Sequence, residues 1–162
     1  MASQWYSLVA QKLFLANTLL ARLESDADAD HSAADREALS QGSAELLLRA
    51  RQSLLIMIAR YHQHKTEKPA SLAELEALFP YEVHETRILR ELAETSGSWW
   101  NHLDQIEVAL SQPPTTRKNV TDENIIAVSV EQGPDRSATA LKKTLAAMTE
   151  LAKRLEEQHS EW

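Results

Sequence analysis

A chain of 162 residues, 43% hydrophobic and 25% charged, has the size and balance of one globular domain and can hide roughly two-thirds of its unfolded surface. It has no cysteine, which excludes disulfides, thiolate catalysis and thiolate metal sites and makes a cytoplasmic setting the default. A formal net charge of −7, with basic residues gathered only in short pairs such as Arg117-Lys118 and Lys142-Lys143, argues against binding phosphate backbones or anionic lipid.

Only 3 glycines and 5 prolines punctuate the chain, so long helices are expected throughout. The opening MASQWYSLVAQKLFLANTLL has no basic residue ahead of its apolar stretch and is interrupted by Gln11 and Lys12, so it reads as neither a signal peptide nor a membrane span. Residues 4–24 instead predict a first helix, with Trp5, Leu8, Leu15, Leu19 and Leu23 on one stripe and Val9, Leu13, Ala16 and Leu20 beside it. The acidic stretch ESDADAD that follows reads as a solvated turn placing negative charge at the next helix N-terminus. A second helix is predicted from about Ser32 to His64, carried by Ala44, Leu47, Leu48, Leu54, Leu55, Ile58 and Tyr61. Gly42 is its weak point, since a glycine inside a helix costs about 1 kcal/mol relative to alanine; a bend or a close neighbouring helix is expected there.

Ser71 and Glu74 have capping-box spacing, so SLAELEALF should be a short helix closed by Pro80. A fourth helix is predicted from about Tyr81 to Thr95. Gly97 and Ser98 then form a C-cap and an N-cap back to back, starting a fifth helix on Trp99, Leu103, Ile106 and Leu110 that Pro113-Pro114 ends. Between Thr115 and Pro134 the helical period disappears, and Ile125 to Val130 is β-branched and strand-like with no convincing second strand to pair with. The last helix, from about Arg136 to Gln158, carries Leu141, Leu145, Met148, Ala152 and Leu155 in a regular seam.

The sum is an all-α, antiparallel bundle of five or six helices in a single domain, 1–162, dominated by the first, second and last helices. Residues 113–135 form a long extended connection bearing one isolated strand-like segment, 125–130. Such a segment must find backbone partners, and it has three routes: its own copy across a two-fold axis, a partner's sheet, or a groove in which it lies extended.

Few residues suggest chemistry. Asp26, Asp28, Asp30 and Glu37 occupy positions 1, 3, 5 and 12 of a calcium loop, but His31 stands where such a loop needs glycine, and acidic helix capping explains the same pattern. His62 and His64 are two apart and could share a metal only if the helix has already ended; His84 and Glu82 meet the same objection. No cofactor is implied. Trp99 belongs to the apolar seam, whereas Trp100 lies about 100° off it and, with Trp162, is a candidate exposed contact residue.

Two resemblances complete the reading. The pair Arg154 and His159 is similar to the Arg-x4-His motif of the HEPN ribonucleases, small helical bundles that dimerise; there it usually opens a helix, whereas here it lies in the last turns of the final one. More extensive is the order Trp5-Tyr6, Gln11-Lys12-Leu13, QPP at 112–114, IIAVSV at 125–130 and Ser160-Glu161-Trp162, which resembles a family of small bacterial proteins known only as a domain of unknown function. That resemblance implies a bacterial cytoplasmic protein and carries over no catalytic residue. The preferred functional reading is a non-enzymatic interaction module, a homodimer or the binder of an unknown protein partner. It would act through Ile125, Ile126, Val128, Val130, Trp100 and Trp162, with neither nucleic acid nor membrane as partner. A HEPN-like ribonuclease is the alternative and a calcium-binding acidic loop the third reading.

Overall fold

Helix-compatible spacing of leucine, alanine and isoleucine over most of the chain is realised, in a computed structural model, as six helices among the described residues. The structure describes residues 3–25, 32–113, 116–121, 124–129 and 133–161, with residue 3 and the two strands described by their backbone. In order these are α1 (Ser3–Ser25), α2 (Ala33–Tyr61), α3 (Leu72–Ala77), α4 (His84–Glu94), α5 (Trp99–Leu110), β1 (Thr116–Thr121), β2 (Asn124–Ser129) and α6 (Ala138–Ser160). None of the helices is long and apolar enough to cross a membrane.

The core lies where the three long helices meet. On α1 it takes Val9, Leu13, Ala16, Leu20 and Leu23, while Leu15 of the adjoining stripe is 40% exposed. Helix α2 is the axis: Ala44, Leu47, Ala50, Leu54, Met57 and Ile58 are fully buried along it. Leu141, Met148, Ala152 and Leu155 of α6 and Trp99, Leu103 and Ile106 of α5 complete the cluster. Gly42 has the predicted close neighbour, because a Cβ added there would stand 3.2 Å from Leu19 Cδ1 of α1.

Caps set the helix ends. Ser32 and Asp35 form a reciprocal capping box at the start of α2, and Ser71, Ser98 and Ser137 accept the N–H groups of Glu74, Asn101 and Ala140. Helix α2 stops at Tyr61 rather than near His64 because Gln63 adopts a left-handed φ of 67°. The turn beyond it is held by Arg60, whose Nη1 donates to the carbonyls of His64 (2.5 Å) and Glu67 (2.7 Å). Helix α4 begins at His84 rather than Tyr81: Val83 is extended, its N–H donates to Thr86 Oγ1 at 3.2 Å, and that hydroxyl donates back to Val83 O at 2.9 Å.

The strand-like segment is not isolated. Residues 124–129 form β2, paired antiparallel with β1 from Thr116↔Ser129 to Thr121↔Asn124, so the predicted extended connection contains a hairpin. The β1 segment, TRKNVT, has no run of apolar alternation, yet its threonines and Val120 favour extended backbone. Val130 lies outside the described residues.

Gly42→Ala tests the α1 packing. The alanine gains helix propensity of about 1 kcal/mol, and its close neighbour is the far end of a half-buried leucine that can shift. Chemical denaturation should therefore show a gain of about 0.5 kcal/mol or more. A loss would mean that Leu19 is rigidly held.

Candidate functional site

Three side chains distant in sequence converge where α2 ends, α4 begins and α6 finishes. His62 is the C-cap of α2, Glu85 lies in the first turn of α4, and His159 lies in the last turn of α6. Glu85 is only 2% exposed, and each carboxylate oxygen has its own imidazole: His62 Nε2 is 3.0 Å from Oε2 and His159 Nε2 is 2.5 Å from Oε1. One ligand atom from each of the three residues lies within 4.8 Å of the other two, and among the described residues this is the one such group of histidines and acidic residues.

Both imidazoles are held on their faces or edges. His159 stacks on Tyr61 with ring centres 4.1 Å apart and planes 9° from parallel, and Phe79 meets His62 edge-on at 4.9 Å. Tyr61 is fixed in turn, its hydroxyl donating to Glu156 Oε2 at 2.6 Å. Burial first, then that carboxylate, pushes the Tyr61 phenol well above its ordinary range, so it stays a neutral donor. At Glu85, burial pushes the carboxyl up, but hydrogen bonds from His159, from its own backbone amide and from His62 outweigh it and hold the group below the usual carboxylate value. The site is therefore a buried anion clasped by two imidazoles.

A second polar cluster lies on the α2–α5 side. Arg51, 8% exposed, donates to Asp104 Oδ1 (2.6 Å) and Glu107 Oε2 (2.7 Å), and its guanidinium sits over the Trp100 ring at 4.8 Å. Trp100, expected at the surface, is thus 5% exposed; among the described residues the exposed large aromatics are Phe14 and Tyr81. The cleft beside Arg51, about 690 Å³, is lined by three arginines, each with a side-chain partner: Arg51 with Asp104 and Glu107, Arg90 with Glu76 and Arg49 with Gln52.

The other residues singled out from sequence scatter. His159 is engaged by Glu85, while Arg154 is exposed five residues earlier on α6. His64 stands 4.0 Å from Glu67 and packs edge-on against Phe79, and Glu82 takes Arg87 at 3.0 Å. Glu37 is exposed on α2 and accepts from Gln41 and Arg136, both at 2.8 Å. Asp26, Asp28, Asp30 and Trp162 lie outside the described residues, and Ile125, Ile126 and Val128 are placed by backbone pairing in β2. Glu85 went unnoticed in the sequence because nothing local distinguishes it, and its partners lie 23 and 74 residues away.

This architecture defines an all-helical protein with a carboxylate–imidazole cluster and a β-hairpin before its last helix. The chain belongs to a family of unknown function (DUF6586), whose model matches residues 1–162. No curated protein and no solved structure matches it.

Glu85→Gln keeps the shape of the side chain, removes its charge and turns an amide N–H₂ toward one imidazole N–H. In chelator-containing buffer near neutral pH it should lower unfolding stability by about 1.5–3 kcal/mol, the range for hydrogen bonds to charged groups. Urea denaturation checks this, and an unchanged midpoint would contradict the clasp.

Proposed function

We propose that this chain is a non-enzymatic helical interaction module of the bacterial cytoplasm that pairs with a second copy of itself through β2. The observation that carries the reading is a sheet of two strands, each with one edge that has no strand neighbour among the described residues. A two-stranded hairpin alone is marginal in water, and three or more strands, or packing on a helix, are needed for independent stability. Along either strand, alternate residues turn their backbone donors and acceptors away from the partner, which makes an open edge a template for another strand.

The two edges differ in composition. β1 carries Arg117 and Lys118, the kind of charge that discourages edge pairing, whereas NIIAVS has no charge and no proline. Antiparallel pairing of β2 with its copy across a two-fold axis would give a four-stranded sheet, β1-β2-β2-β1, with each charged strand outermost. A bacterial cytoplasmic setting rests on the family resemblance and on the absence of cysteine.

Light scattering on a size-exclusion column tests the pairing. The expected mass is that of a dimer, and Ala127→Pro, which removes a ladder donor in the middle of β2, should give monomers whose helical circular dichroism is unchanged. A strict monomer at high protein concentration would overturn the reading.

A further inference from the structure

We propose that His62, Glu85 and His159, brought together at the ends of α2, α4 and α6, form a binding site for a divalent first-row transition-metal ion, with zinc as the type case. Two imidazoles and one carboxylate make a nitrogen and oxygen donor set suited to zinc, iron, nickel or copper rather than to calcium or magnesium, which favour oxygen alone. Three protein ligands are also the number found when a metal keeps one position open for water or another donor.

The geometry is close to what an ion requires. Bonds of about 2.0–2.2 Å in a tetrahedral site put neighbouring ligand atoms about 3.4 Å apart. The three ligand atoms, with one carboxylate oxygen counted, lie within 4.8 Å of one another, and the hydrogen-bonding separations, one to each oxygen of Glu85, are 3.0 and 2.5 Å. Both Nε2 atoms already point at the carboxylate, so a cation would take the space that the two bridging protons occupy. Each neutral imidazole then carries its proton on Nδ1 instead, each charged one releases a proton to solvent, and the carboxylate stays an anion.

Preorganisation and access are both present. Stacking on Tyr61 and edge contact with Phe79 hold the rings, which lowers the ordering cost of ligation. Glu85 is sealed at 3% side-chain exposure, while the His62 and His159 side chains keep 28% and 22%, so the ion has an entry path and a solvent-facing fourth position. Bound there, it would tie the last turn of α6 to α2 and α4. This inference does not depend on the pairing of β2.

The test is calorimetric titration of the untagged full chain, stripped with chelator, with Zn²⁺ alone, together with thermal melts in Zn²⁺ and in chelator. The expected result is one ion per chain and a higher Tm with zinc. Affinity should fall at least tenfold in His62→Gln and in His159→Gln, judged on whichever variant retains wild-type circular dichroism. Co²⁺ should give a visible d–d spectrum with the wild type that Glu85→Gln lacks. Absence of both heat and a Tm change in the wild type would overturn the proposal. So would binding of wild-type strength in a histidine variant that retains wild-type circular dichroism, which would place the ion elsewhere among the 6 histidines.

Discussion

A carboxylate that is 2% exposed cannot be left without partners, and the burial of Glu85 is the constraint around which one end of this bundle is arranged. Its two oxygens take one imidazole each, from His62 at 3.0 Å and from His159 at 2.5 Å. Meeting that demand requires α2 to bring His62, its C-cap residue, beside the first turn of α4. It equally requires α6 to run to its last turn, because His159 is the second partner. The position of Glu85 in the first turn of α4 adds the positive pole of that helix to the two imidazoles in favouring the anion.

Arg51 makes the complementary arrangement on the α2–α5 side. It is a cation at 8% exposure, shared by Asp104 and Glu107 of α5, with its flat face on Trp100. The two clusters do the same kind of work. Between them, apolar packing along α2 joins the helices into one core. A buried charge with two geometrically fixed partners does restrict rotation, because each wrong setting leaves a desolvated group unpaired.

The helices were legible because their information is local. Leucine and alanine spacing located α1, α2, α5 and α6, and the serine caps at Ser71 and Ser98 placed the starts of α3 and α5. Errors came where tertiary partners decide. Trp100 lies off the α5 seam, but Arg51 from α2 covers it, so a helix-by-helix reading turned an interior residue outward. The strand at 124–129 was legible as extended, whereas its partner TRKNVT was not, because a charged strand without apolar alternation reads as loop. The His62–Glu85–His159 cluster was invisible for the same reason in stronger form: its members are 23 and 74 residues apart, and only the packed helix ends bring them together.

The central claim is that Glu85 acts with its imidazoles as a unit, and a double-mutant cycle measures this most directly. Unfolding free energies of the wild type, Glu85→Gln, His159→Gln and the double variant would be determined in chelator at one pH. The account predicts a coupling above about 1 kcal/mol, within the range for residues in one hydrogen-bond network. Additivity to within about 0.3 kcal/mol, as for distant independent sites, would contradict it.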